Sequence, residues 1–268
     1  MTTDHSYAVL KSRALIALGG EDWRDFLQGL ITQDVETLQP GELRFGAMLT
    51  PQGRLLFDLF VVGREDGAWL DVEAEHRAAL ILRLTMYRLR AKVTIATDET
   101  PVSVLFGGQD APQGWIADPR LAALGWRGYG VAVPAGAAEV DEAAYDAHRL
   151  ALGVPGPADW GSEKTYPIEA NFDLLNGIDF HKGCFVGQET TSRMKRRGQI
   201  KNRMLPLTFD GAAPAFDAEV LTGDRRAGEV LSGQDGRAMA LVRLDRIDGE
   251  LTVDGKTVQV DRPDWLPL

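Results

Sequence analysis

Apolar residues at Trp23, Phe26, Leu27, Leu30 and Ile31 recur every three or four positions, which lays one stripe along a helix face and predicts a helix over residues 23–38. On either side the spacing shortens to that of strands. Residues 8–18 read as a strand pair. Residues 45–50 and 55–62, joined by the turn Pro51-Gln52-Gly53, read as a β-hairpin, and a second turn at 63–67 leads into a strand at 69–72. Helical spacing returns over 74–89 through Ala78, Ile81, Leu82 and Met86, and 92–96 reads as a strand. Helices and strands in this order predict α+β layering.

From 101 to 134 short apolar runs alternate with Gly, Pro and Asp, the pattern of strands and loops. A third helix is predicted over 141–152, stopped where Gly153 and Pro155 withdraw the helical backbone and an amide donor. Residues 153–176 form a long stretch rich in Gly, Pro and polar residues, and a loop of that length in a compact chain tends to carry function. Beyond Arg203 the pattern becomes short strands at 204–209, 219–221, 229–231, 237–244, 250–253 and 256–260. With turn signals at Gly223-Asp224 and Asp254-Gly255, they predict a small antiparallel barrel or sandwich. The predicted domains are therefore 1–203 and 204–268.

Composition narrows the function classes. A hydrophobic fraction of 44% over 268 residues supports two or three compact units, and a net charge of -10 opposes non-specific nucleic-acid binding, which needs Lys and Arg against phosphates. The single cysteine, Cys184, forms no intramolecular disulfide, and the first seven residues lack a basic stretch followed by an apolar run, so a soluble protein of the reducing cytoplasm is expected. The richest apolar run, 55–62, is broken by Asp58 and is far shorter than a membrane-spanning helix, so no membrane partner is expected.

The densest candidate chemistry lies in Gly177-Ile178-Asp179-Phe180-His181-Lys182-Gly183-Cys184-Phe185-Val186-Gly187-Gln188-Glu189, which joins an apolar piece to a polar piece that opens a helix through Thr190, Thr191 and Met194. Gly183 and Gly187 permit a sharp turn with Cys184 on it, where neighbouring Lys182 and a helix N-terminus both favour thiolate. Spacing alone leaves a second reading open, in which Cys184 is a small buried hydrophobe on a structural turn. One cysteine cannot hold an iron–sulfur cluster by itself, because clusters take about four protein ligands.

A basic run follows: Arg193, Lys195, Arg196, Arg197, Lys201 and Arg203. It suits an anionic group or, equally, a solvated helix end. In Tyr166-Pro167-Ile168-Glu169-Ala170-Asn171 a carboxylate beside an amide matches a heterocycle edge that presents an amino group and a ring N–H, although many such carboxylates are simply solvated. Asp34, Arg54 and Asp58 complete the candidates; an inward Asp58 requires a partner or a task. The chain has no Walker loop, His-Glu-x-x-His, Cys-x-x-Cys or nucleophile elbow, and no metal-ligand set is predicted.

Lys182-Gly183-Cys184-Phe185-Val186-Gly187-Gln188-Glu189 resembles the signature K-G-C-[FY]-x-G-Q-E of the YgfZ family. Residues 26–35, 46–54 and 167–171 resemble further blocks of that family in the same order, so the resemblance covers nearly the whole chain. The family is related to the aminomethyltransferase T-protein of glycine cleavage. The resemblance therefore implies a three-part ring, with two interleaved α+β units and a C-terminal antiparallel β-barrel around a folate pocket. It also implies a role in assembly or repair of iron–sulfur clusters in client enzymes, with tetrahydrofolate bound and the motif cysteine required, as an accessory factor rather than a classical enzyme. Carried over residue by residue, Cys184 and Lys182 become the chemical centre. Glu169 would read the pterin, Arg193 would meet the glutamate tail, and Asn171, Gln188, Asp58 and Arg54 complete the folate set. Two alternatives stand beside this reading. One is a true aminomethyltransferase, which resembles this chain but carries paired aspartates where Gly53-Arg54-Leu55-Leu56-Phe57-Asp58 has one; the other is a scaffold for an acidic protein or RNA.

Overall fold

The computed structural model describes residues 5–110, 112–198 and 200–268. The chain crosses between two five-stranded sheets before it closes a barrel. Strand β1 (Ser6–Val9) enters one sheet, and β2 (Arg13–Gly19) enters the other. The run expected as a strand pair is thus two strands that never pair with each other: β1 pairs with later strands of its own sheet, while β2 lies between two others.

After β2 come α1 (Trp23–Gln28), β3 (Leu43–Leu49), β4 (Leu55–Arg64), β5 (Gly67–Glu73), α2 (Arg77–Arg88) and β6 (Thr94–Asp98). They complete the first sheet in the order β3-β4-β5-β2-β6. The hairpin predicted at 45–62 is present as antiparallel β3 and β4. Alternation along β4 sends Phe60 and Val62 to one core and Leu59 and Val61 to another, where α1 and α2 cover the sheet.

The predicted first helix is shorter than its apolar stripe. It stops at Gln28, whose side chain turns onto the following loop: Oε1 accepts from the Val35 amide at 2.8 Å and Nε2 donates to Asp34 Oδ1 at 2.8 Å. Leu30, Ile31, Val35 and Leu38 are buried in that loop, so their spacing records burial and not helix.

The second sheet runs β10-β1-β7-β9-β8, from β7 (Val102–Phe106), β8 (Ile116–Ala117), β9 (Trp126–Tyr129) and β10 (Ala138–Glu139). Helix α3 (Glu142–Ala151) follows, capped by Asp141, whose carboxylate accepts from the Ala144 amide at 2.9 Å. The predicted C-terminal strands form a closed six-stranded barrel in the order β11-β14-β13-β12-β15-β16: β11 (Asn202–Thr208), β12 (Glu219–Thr222), β13 (Arg225–Gln234), β14 (Arg237–Arg243), β15 (Leu251–Val253) and β16 (Lys256–Val260). Closure occurs where Leu207 meets Val260. No helix among the described residues is long and apolar enough to cross a membrane.

One apolar core holds residues of both sheets, α3 and β11. Within it the sheets are joined by charge. Asp71 of β5 accepts from Arg13 Nε at 2.7 Å, and from Arg127 Nη2 at 2.7 Å and the Tyr129 hydroxyl at 3.1 Å across the gap. Phe60 lies beneath the guanidiniums of Arg127, Arg120 and Arg13, 3.8, 4.9 and 5.6 Å from its ring centre. Buried charges of this kind persist only when paired and hydrogen-bonded.

Candidate functional site

The segment around Cys184 is an exposed loop anchored at both ends. At its start, the Thr32 hydroxyl donates to the Gly177 carbonyl at 2.6 Å, the Asp179 amide donates to the Thr32 carbonyl at 2.9 Å, and Asp179 Oδ1 accepts from the His181 amide at 2.7 Å. At its end, the Val186 amide reaches the Gly29 carbonyl, and Gly187 takes a positive φ of 83° before helix α4 (Gln188–Arg197) begins. A Cβ on Gly187 would stand 2.6 Å from the Thr50 carbonyl oxygen, so only glycine fits there. Gly183, by contrast, has open space around it and no positive φ. Of the two glycines read as turn-makers, the second carries the constraint.

Cys184 stands exposed between these anchors, ahead of the α4 N-cap Gly187 rather than within the helix's first turn. Lys182 is half-buried and turned inward. Its Nζ donates to the carbonyls of Gln28 (2.7 Å), Ile31 (2.7 Å) and Gln33 (2.8 Å). Sequence adjacency suggests the thiol as the target of this charge, yet all three ammonium donors go to the end of α1 and the loop that follows it. Burial lowers the Lys182 ammonium to about 8, against the opposing pull of Asp34 and Asp179. Asp34 is itself held below the usual carboxylate range. Burial alone would raise it, but bonds from Thr37, Gln28 and Arg44 outweigh that cost.

The other predicted residues separate into distinct settings. Asn171 is fully buried with φ 61°; its Nδ2 donates to the Met204 carbonyl at 2.7 Å and its Oδ1 accepts from Arg203 at 2.9 Å. It joins the long loop to the barrel, with its side chain fully buried at that junction. Glu169 is half-buried, with Oε2 accepting from the Tyr166 amide and Oε1 from Asn202, each at 3.1 Å. Arg54 donates to the Lys164 carbonyl and stacks 4.5 Å over the Tyr166 ring, which secures the same loop. Gln188 opens α4, half-buried, while Arg193 is exposed on that helix, 4.0 Å from Glu189.

The basic run also divides. Arg203 is buried at the barrel junction against Asp173 at 2.9 Å, whereas Arg193, Lys195, Arg196 and Lys201 are exposed; the side chain of Arg197 lies outside the described residues.

Asp58 faces inward and does need a partner. It is 3% exposed, and Oδ2 accepts from Arg13 at 2.9 Å, while Oδ1 is buried without a hydrogen-bond partner among the described residues. It lines a cavity of about 80 Å³ with Arg13, Phe60, Arg120, Arg127 and Tyr145. Ser12, Asp146 and Pro157 are also walls of a neighbouring cleft of about 550 Å³ that includes Leu56, Glu73, His76 and Trp160. Neither cavity is lined by Glu169, Asn171, Gln188, Arg193 or Arg54. The predicted folate set is therefore not gathered around one of these cavities; Asp58 alone reaches one.

Sequence reading missed the other cavity residues. Arg13, Arg120, Arg127 and Tyr145 belong to four separate segments, and only the facing of the two sheets brings them together. Glu73, Glu75 and His76, whose ligand atoms lie within 4.8 Å of one another, were missed as well. Burial, then the negative charge of Asp58, raises the Glu73 carboxyl.

Comparison with known proteins covers both sequence and fold. Residues 201–268 match the family model described as the CAF17 C-terminal β-barrel domain. The chain is 33% identical to the mitochondrial iron–sulfur cluster assembly factor IBA57 homolog of Mycosarcoma maydis, covering 97% of this chain and 83% of that protein. It is 30% identical to the mitochondrial iron–sulfur cluster assembly factor IBA57 of Homo sapiens, covering 96% and 84%. In fold it is similar to the crystal structure of glycine cleavage system aminomethyltransferase T from Bartonella henselae, with a TM-score of 0.79, 18% identity, and coverage of 98% of this chain and 86% of that one. At that identity the likeness is one of fold alone.

Proposed function

Because the chain belongs to the IBA57/CAF17/YgfZ family of iron–sulfur cluster assembly factors, we propose that it assembles or repairs clusters in client enzymes, with Cys184 as the thiol that meets the partner. The observation that supports this is the setting of Cys184. It is the sole cysteine of the chain, exposed on a loop whose two ends are fixed, with Lys182 spending every donor on the backbone behind it. A pinned loop presents its thiol without having to order itself first.

One thiolate supplies one of the roughly four ligands that a cluster takes. Cys184 thus acts on a cluster shared with a partner: its thiolate bonds to an iron as one partner ligand leaves, the Cys184 proton passes to solvent, and the displaced thiolate takes a proton up. The cluster is the cargo of this exchange, and no electron is transferred. The chemistry belongs in a reducing compartment, and the proposal keeps this chain in the cytoplasm.

Tetrahydrofolate is the proposed ligand of the inter-sheet cavity, and Asp58 is the residue that supports it. A reduced pterin offers ring N–H donors, and Asp58 Oδ1 is a buried acceptor without one. A cavity of about 80 Å³ admits a heterocycle edge, and the adjoining cleft of about 550 Å³ has room for the rest. Aminomethyl transfer is the weaker reading, since the run Gly53-Arg54-Leu55-Leu56-Phe57-Asp58 has one aspartate where aminomethyltransferases carry a pair.

The test uses the single cysteine. The chain is treated with N-ethylmaleimide, freed of excess reagent, and added to an apo [4Fe–4S] enzyme with ferric iron, sulfide and dithiothreitol, the dithiol supplying the two electrons each cluster takes up. Untreated chain is expected to speed recovery of activity and the blocked chain to lose that effect. Equal acceleration by both removes Cys184 from the mechanism.

A further inference from the structure

Residues 77–92, which contain α2, carry Arg77, Arg83, Arg88, Arg90 and Lys92 and no carboxylate, in a chain whose net charge is -10. The inner face of α2 is anchored by Leu80 and Leu84, both fully buried against the first sheet. Its outer face is apolar too: Leu82 is 64% exposed, Met86 69% and Leu89, just past the helix end, 88%. A step of four residues places Leu82 and Met86 in one stripe, and Leu89 extends the exposed apolar surface beyond the helix end. Scattered exposed leucines are ordinary, but a contiguous stripe marks an interaction surface. Leu89 also holds a positive φ of 43°, a region that L side chains rarely adopt, while its side chain stands in water.

Two of the flanking charges are paired and two are free. Arg77 pairs with Glu99 at 3.0 Å and Lys92 with Glu21 at 2.7 Å. Arg83 and Arg90 make no hydrogen bond or ion pair among the described residues, and Arg88 reaches only the Val93 carbonyl at 3.4 Å. A stripe flanked by free guanidiniums is complementary to an apolar groove bordered by carboxylates. Anchors on successive turns, here Leu82 and Met86, are how a helix fills such a groove. A lipid surface suits it less, because insertion needs a broad apolar face and half of this helix is already spent on the core.

The stripe also has a position relative to the cysteine loop. Leu80, Ile81 and Leu84 of α2 share one core with Val186, so helix and loop cover the same face of the first sheet. We propose that the outer face of α2 docks a partner protein bearing carboxylates around an apolar groove, and so seats that partner on the face that carries Cys184. That the partner is an iron–sulfur protein rests on the cluster-assembly reading; the docking face stands on its own residues.

The test places a photo-crosslinking side chain at Leu82, Met86 or Leu89 of the full chain in cells that make it, with Phe216 on the barrel side as control. Adducts are identified by mass spectrometry. The proposal predicts one acidic protein captured from the α2 positions and not from Phe216. That protein, purified, should bind the native chain at least about tenfold more tightly than Leu82→Asp with Met86→Asp, and than Arg83→Glu with Arg90→Glu, and its affinity should fall with added salt. Capture of nothing, of a second copy of the chain or of lipid overturns the proposal, as does equal affinity of native and altered chains. Normal binding by the α2 variants, beside loss of [4Fe–4S] enzyme activity in cells carrying Cys184→Ala, would remove the docking face and leave the function standing.

Discussion

Lys182 gives the clearest residue-scale consequence. Folding lowers its ammonium from 10.5 to about 8. Between those values the unfolded chain holds a proton that the folded chain has released, so stability rises with pH across that interval. The prediction is that the native chain, compared with Lys182→Met by urea unfolding at pH 7, 9 and 10, gains stability relative to the variant as pH increases. A difference that stays constant contradicts the shift. Asp58 carries the folate claim at the same scale. In Asp58→Asn the amide carbonyl can still serve Arg13, which turns an N–H toward the ligand's own N–H. Calorimetry should show tetrahydrofolate bound about 1.5–3 kcal/mol more weakly. Unchanged affinity there, with a loss in Glu169→Gln, would move the pterin to the long loop. Both positions stand out in the sequence, as a lysine two residues before the only cysteine and a charge inside an apolar strand, but the direction of the Lys182 ammonium does not. The roles of Asn171 and Glu169 were not, since their partners Arg203 and Asn202 belong to the strand that opens the barrel.

At the scale of elements, the tie between the sheets is the feature most exposed to test. Asp71 of β5 receives the nearly covered side chain of Arg13 from β2 and buried Arg127 and Tyr129 from β9. Burial would raise its carboxyl, yet Arg127 and Arg13 hold it below the usual range. Its contribution is therefore present above the unfolded carboxylate range near 3.8 and is lost as pH falls through and below it. Asp71→Asn should cost about 3–5 kcal/mol in urea unfolding at neutral pH, with a smaller difference under acid; a cost under about 1 kcal/mol would mean that packing alone joins the sheets. Strands β3 and β4 and the barrel strands could be read from alternation and turns because their partners are near in sequence. Helix α1 could not, because a buried loop repeated its spacing. Nor could the assignment of β1 and β2 to different sheets, which depends on partners such as β7 and β5 far along the chain.

At the scale of the molecule, the two sheets, their helices and the barrel place three features in defined relation. The ionic core lies between the sheets, the pinned cysteine loop and α2 share the outer face of the first sheet, and Arg203 with Asn171 fastens the barrel to the long loop. The spacing of the C-terminal strands left barrel and sandwich both open and the family resemblance pointed to the barrel, which closes where β16 meets β11. In cells lacking this protein, a gene copy carrying Cys184→Ala, produced at the native level, is predicted to leave [4Fe–4S] enzyme activity at the level of the empty cells, while the native copy restores it. Full restoration by Cys184→Ala would contradict the account.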